Sequence, residues 1–239
     1  MRKRIGVMIP STNATCEADF NLVAGRSFSV HGQRLWLTEE GGKEAFERMN
    51  RDVETGARYL GTAKVHVVAY GCVAGSMING PEGDRKMLAA IAREAGAPAV
   101  ATMPATFEAL RAFGAKRISV VTPYKDAKNA ELKAYLERQG FEVVSIGGEP
   151  GAQASGNQAI NDRPPETIEP FAAESCAPEA DALYCACTAW RSLEVAEKIE
   201  QRIGKPVVTA NGAMIWAALR AMGESTPIRG FGKLLEGVS

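Results

Sequence analysis

An α/β fold organised around parallel sheets is predicted by three observations. Runs rich in β-branched residues alternate with helical patterns along the chain. Several helical patterns open on Pro, Ser or Asp and close at Gly, the usual start and stop signals. The chain also repeats itself.

Strand-like runs fall at 5–10, 65–70, 99–102, 118–122, 142–146, 182–185 and 206–209. Helical patterns fall between them, at 43–60, 81–95, 104–113, 126–139, 165–176, 192–203 and 213–222. Such βαβα alternation implies a mostly parallel sheet with helices on both faces. The repeat is carried by three matches. Arg4-Ile5-Gly6-Val7-Met8-Ile9-Pro10 resembles Arg117-Ile118-Ser119-Val120-Val121-Thr122-Pro123. Ile91-Ala92-Arg93-Glu94-Ala95-Gly96 resembles Ile199-Glu200-Gln201-Arg202-Ile203-Gly204. Ala109-Leu110-Arg111-Ala112-Phe113-Gly114 resembles Ala218-Leu219-Arg220-Ala221-Met222-Gly223. Amphipathic helices resemble one another by chance, but three matches in one order at nearly constant separation point to two homologous halves, joined near Ala115.

The chain has 239 residues, enough for one large domain or two small ones with a buried core. Its 28 basic and 28 acidic residues balance, and no basic stripe suggests a nucleic-acid surface. No apolar run approaches the roughly 20 residues of a spanning helix, so no membrane role is expected. The basic start, Met1-Arg2-Lys3-Arg4, is followed by a short strand-like run rather than the apolar core of a signal peptide, and a cytoplasmic location is the reading. No GxGxxG after a strand and no GxxxxGK[ST] occurs, so nucleotide binding is not indicated.

Five cysteines, an odd number, argue against a disulfide framework in such a chain. Cys185 and Cys187 are one residue apart with no CxxC, and His31 and His66 are the only histidines, so no metal site is expected. Core filler is the default for free thiols. Two of them break the default. Cys72 immediately follows one strand, Cys187 immediately follows another, and the two lie apart by about the repeat distance. Both therefore sit at the carboxyl ends of equivalent strands, the edge at which open α/β sheets bind ligands. Two halves related by an approximate two-fold axis would bring both thiols to one cleft. Cys16 and Cys176 lack equivalents and read as structural, Cys185 as core, and both histidines as satisfied structural groups.

A thiol near the backbone amides that open a loop or helix can have its pKa lowered toward neutrality, becoming both nucleophile and proton carrier. Two such thiols can pass a proton across a carbon. Alternatively, one adds to an activated double bond while the other handles the proton. The amides of Val73–Ser76 and Thr188–Trp190 can hold a carboxylate. Neither route needs a cofactor.

Beyond these cysteines, the residues Pro10-Ser11-Thr12-Asn13 with Glu17, the Cys72 loop, Thr122-Pro123-Tyr124, Asn157, Cys187-Thr188 and Gly230-Phe231-Gly232-Lys233-Leu234-Leu235 resemble the aspartate/glutamate racemase superfamily. Within it they are similar to the maleate cis–trans isomerase and arylmalonate decarboxylase group, over essentially the whole chain. The resemblance implies two Rossmann-like, flavodoxin-like halves related by pseudo-two-fold symmetry with the active site between them: 1–114 with a returning segment 211–239, and 115–210. The decarboxylases keep only the second cysteine, so Cys72 argues against decarboxylation. The isomerase pattern makes Cys72 the nucleophile that adds to an alkene carbon of maleate or a related small cis-dicarboxylate, giving a succinyl-cysteine-type adduct that rotates and eliminates fumarate. Cys187 is then the acid/base. Asn13, Tyr124 and Asn157 would hydrogen-bond the carboxylates, aided by the amides of Ala74, Gly75, Ser76 and Thr188. Each has a plain alternative: Asn13 as a cap, Tyr124 packed at the joint, Asn157 in a turn, with Asn161 as a nearby counterpart. The loop after Cys72, Val73-Ala74-Gly75-Ser76, lacks a hydroxyl directly after the cysteine. Trp190 is bulky enough to line or narrow the pocket. No conspicuous cation stands in the motifs, Arg191 being the candidate. A two-cysteine racemase of a small chiral acid, and a non-catalytic binder of small acids, remain the other readings. The apolar helix 213–222 makes a homodimer or higher homo-oligomer the expectation.

Overall fold

The computed structural model describes residues 2–38, 41–152 and 156–237. Among them, eight strands form two four-stranded parallel sheets. The first has the order β2-β1-β3-β4, with β1 Lys3–Pro10, β2 Phe28–Leu35, β3 Val67–Tyr70 and β4 Ala99–Ala101. The second has the order β6-β5-β7-β8, with β5 Arg117–Thr122, β6 Glu142–Gly148, β7 Ala182–Cys185 and β8 Val207–Thr209. The same order in both sheets is the structural form of the sequence repeat. The central strands β3 and β7 are buried at every residue, as strands covered on both faces must be.

The covering helices are α1 Cys16–Ala24, α2 Lys43–Arg51, α3 Val53–Thr62, α4 Val73–Ala95, α5 Thr102–Ala112, α6 Asp126–Arg138, α7 Gly156–Asn161, α8 Pro165–Glu174, α9 Ala196–Ile203, α10 Ala210–Ala221 and α11 Lys233–Glu236. None among the described residues is long and apolar enough to cross a membrane. α5 and α10 leave β4 and β8 directly and pack on each other; α10 also lies on β3 and β4, and α5 on β8. The larger apolar core is accordingly shared, joining Ile9, Met103 and Leu110 to Val120, Tyr184 and Met214.

Two expectations are corrected here, and a third is refined. The single helix predicted over 43–60 breaks at Asp52 into α2 and α3. The highly polar α2 buries only Met49 and packs on α4, whereas α3 buries Val53, Gly56, Ala57 and Leu60 and packs on β1 and β2 as well as on α4, so the break lets the second helix reach the sheet. The helix predicted to begin at Pro81 does begin there: Gly80, at φ 66° and ψ 175°, is not helical and divides α4 into two helical pieces, 73–79 and 81–95, the first of which the sequence reading did not include. The Gly-Pro pair acts as the start signal it reads as: glycine takes the positive φ that only it adopts freely, and proline opens the second piece where its missing N–H costs nothing. Finally, the segment 213–222 is no face for a second copy. Most of α10, including Ala213, Met214, Ile215, Ala217 and Ala218, is buried within the chain itself.

Candidate active site

In each parallel sheet the loops after alternate strands gather at the carboxyl edge. Pro10, Thr12 and Asn13 follow β1, Cys72, Val73 and Ala74 follow β3, Tyr124 follows β5, and Cys187, Thr188 and Ala189 follow β7. With Leu37, Phe46 and Lys128 they line one narrow cleft of about 40 Å³. Both thiols thus border a single narrow space, which the surrounding loops must widen to admit a small organic acid.

Cys72 is the N-cap of α4, and its Sγ accepts a hydrogen bond from the Gly75 N–H at 3.2 Å. A side chain at position 75 has no room: a Cβ there would stand 2.1 Å from Tyr70 Oη and 3.2 Å from Asn50 Oδ1, two atoms already hydrogen-bonded to each other at 2.5 Å. Gly75→Ala is therefore expected to lower stability by about 1–3 kcal/mol through overpacking, read as a fall in the urea midpoint.

Cys187 holds a φ of 118°, a conformation costing a non-glycine residue about 1–3 kcal/mol. The next residue is fastened from three sides. Thr188 Oγ1 donates to Gly71 O at 3.2 Å and accepts from Asn13 Nδ2 at 3.0 Å, both in the first half. Asn211 Nδ2 donates to Thr188 O at 3.0 Å and to Asp19 Oδ2 at 2.7 Å. Burial pushes the Asp19 carboxyl up to about 7, a rise the Asn211 hydrogen bond opposes. Asn211→Ala strips partners from two buried oxygens and is expected to cost about 1–3 kcal/mol and to lower turnover, measured by denaturation alongside steady-state rates.

The thiols do not have the lowered pKa expected of them. Burial pushes Cys72 up to about 11, against the pull of the Gly75 N–H, of Lys128 and of the Ala74 amide; the nearby Cys187 adds to the rise. Burial also raises Cys187, against the Tyr124 hydroxyl, the Ala189 amide, Lys128 and the Trp190 amide. Helix-terminal amides are present as predicted, but removing a thiolate from water outweighs them. Nor are these thiols exposed: Cys72 is 5% and Cys187 7% accessible. Since the thiolate is the reactive form, alkylation of Cys72 by iodoacetamide should keep accelerating from pH 7 to pH 10. Peptide mass mapping of the labelled site checks this, and a plateau near pH 8 would contradict it.

A family model described as arylmalonate decarboxylase matches residues 5–235. The chain belongs to this family. Among its relatives, maleate isomerase from Nocardia farcinica is 29% identical over 243 residues, covering 98% of this chain and 95% of the relative. The crystal structure of the maleate isomerase of Pseudomonas putida S16 superposes with a TM-score of 0.91 at 28% identity, over 100% of both chains. A Cys-to-Ser mutant of Nocardia farcinica maleate cis–trans isomerase, holding a covalently bound succinylcysteine intermediate, superposes with a TM-score of 0.90 at 28% identity over 99% of both chains.

In this member of the arylmalonate decarboxylase family, the residues singled out from sequence divide into groups. Cys72, Cys187, Asn13, Ala74, Tyr124 and Thr188 line the cleft. Asn13 is both cap and bridge, since its Oδ1 accepts the N–H groups of Thr15 and Cys16 at the start of α1 while its Nδ2 reaches Thr188. Gly75 serves from behind, through its N–H on the Cys72 sulfur. Ser76 is turned away: its hydroxyl donates to the buried Asp84 and its N–H to Cys72 O. Asn157 lies in α7 and its side chain falls outside the described residues. Asn161 ties the loop after β1 to α7, donating to Thr12 O at 2.9 Å and accepting from the Ala14 N–H at 3.0 Å. Arg191 is paired with Glu194 at 2.7 Å, and the fully buried Trp190 packs edge-on to Phe171 rather than in the cleft. His66 accepts the Arg4 N–H, and His31 bonds Ser29, both in structural roles.

Sequence reasoning missed the lining residues Leu37 and Phe46 and two polar residues, Asn211 and Lys128. Asn211 carried no motif, because its role depends on three segments meeting. Lys128 had only a weak signal, lying in the first turn of the helix that follows the Tyr124 loop.

Proposed function

We propose that the chain is a cofactor-independent isomerase that converts maleate, or a closely related small cis-dicarboxylate, to the trans isomer. The observation that carries this reading is the pair of cysteines, each following the equivalent strand of its half and both lining one cleft. The likeness to maleate isomerases along nearly the whole chain supports it.

The chemistry runs as follows. The Cys72 sulfur, as thiolate, forms a bond to one alkene carbon. The alkene π pair moves to the neighbouring carbon, where it takes the proton of Cys187 and leaves that cysteine as thiolate. The former double bond is now a single bond and rotates. Cys187 then removes a proton from the same neighbouring carbon, the C–H pair restores the double bond in the trans geometry, and Cys72 leaves as thiolate. Atoms and charge balance without a cofactor. The Gly75 N–H stabilises Cys72 as the departing anion, and the Tyr124 hydroxyl does the same for Cys187. The carboxylates fall to the remaining Nδ2 hydrogen of Asn13 and to the backbone amides of Ala74 and Thr188.

Incubation with maleate under reducing conditions, followed by proton NMR of the vinylic signal, tests the reading. Absence of fumarate from a folded sample rejects it. The paired thiols also fit a racemase of a small chiral acid, which requires solvent deuterium to enter the α-carbon across a substrate panel.

A further inference from the structure

We infer that Lys128 is the counter-ion of one substrate carboxylate and sets the preference of this cleft for a diacid over a monoacid. This deepens the proposed isomerase reading and rests on it for the identity of the substrate.

Lys128 is the single charged side chain that lines the cleft among the described residues. Its ammonium lies 4.3 Å from the centre of the Tyr124 ring and 5.4 Å from that of Phe46. Aromatic faces attract a cation without neutralising it. No carboxylate stands within ion-pairing distance among the described residues, whereas Lys3, Lys86, Lys133 and Arg163 each find one. Glu131, on the same helix, lines the neighbouring hollow yet forms no pair with it. The position is also electrostatically unfavourable on its own. Lys128 sits in the first turn of α6, where the helix dipole disfavours a cation and favours an anion. An ammonium with no carboxylate partner among the described residues, held between rings at a helix start and facing a cleft, is a prepared site for an anion.

The reaction supplies that anion. A diacid brings two negative charges to a cleft in which a buried thiolate must also form. Lys128 draws both thiols toward their charged forms, so its field reaches both reacting sulfurs. Place fixes which carboxylate it takes. The hollow of about 460 Å³ beside the cleft shares Phe46, Ala74 and Lys128 with it, so Lys128 stands at the junction and meets the outer carboxylate.

The test compares wild type, Lys128→Met and Lys128→Arg on maleate and on maleamate, its cis monoamide with one charge fewer. In Lys128→Met, KM for maleate should rise by about tenfold or more, KM for maleamate should change less than about twofold, and Lys128→Arg should recover most of the loss. A role in packing alone would shift both substrates together, and equal shifts, or none, overturn the inference. Calorimetric binding of maleate and maleamate to the same three proteins separates the two readings. If wild type turns over neither compound but Lys128→Met selectively loses maleate binding, the isomerase reading falls and the counter-ion stands. If neither turnover nor binding distinguishes the variants, the counter-ion is overturned.

Discussion

Cys72→Ser is expected to cut maleate turnover by about a thousandfold or more while leaving the fold intact. The replaced atom makes one hydrogen bond, from the Gly75 N–H, and a hydroxyl oxygen can accept the same bond. What it cannot do is add to an alkene. Its own pKa lies far above that of a thiol, and the burial that lifts Cys72 to about 11 would lift it further. Vinylic NMR gives the rate, and a thermal scan within a few degrees of wild type shows that the fold survives. Retention of a tenth of the wild-type rate would remove Cys72 from the mechanism.

Cys187→Ser should behave differently, by stalling after the first bond forms. Addition at Cys72 needs only a proton, which a hydroxyl or water can deliver, but elimination needs a base that takes one back. Turnover should fall by about 10²–10⁴, and intact-mass analysis after incubation with maleate should find the protein heavier by one maleic acid, mapped to Cys72. The asymmetry is the informative result. If both serine variants remain unmodified, no covalent adduct accumulates and the cysteines act by proton transfer alone. If the adduct appears on Cys187, the assignment is exchanged.

Much of the architecture was legible because it is periodic. The resemblance of the stretch beginning at Arg4 to that beginning at Arg117 foretold two sheets, and the places of Cys72 and Cys187 on that repeat foretold a shared cleft. These are local signals: a β-branched run followed by a loop residue keeps its meaning wherever the chain goes. The ionisation of the thiols was not legible, because it depends on how much water the assembled loops exclude, and here exclusion outweighs the amides. Asn211 was invisible for a related reason, as its partners Asp19 and Thr188 come from separate segments of the chain. The segment 213–222 misled because an apolar helix reads the same whether it meets a partner chain or its own interior. Lys128 lay within reach, but a single lysine at a helix start becomes meaningful only once the opposite wall, with Phe46, is in place.

The crossing of α5 and α10 constrains more than the shape of the interior. Each rests on strands contributed by the other repeat, so severing the chain after Gly114 would leave both fragments with an oily surface bare to solvent. The duplicated units have become mutually dependent, and neither is an autonomous module that protein engineering could excise and reuse.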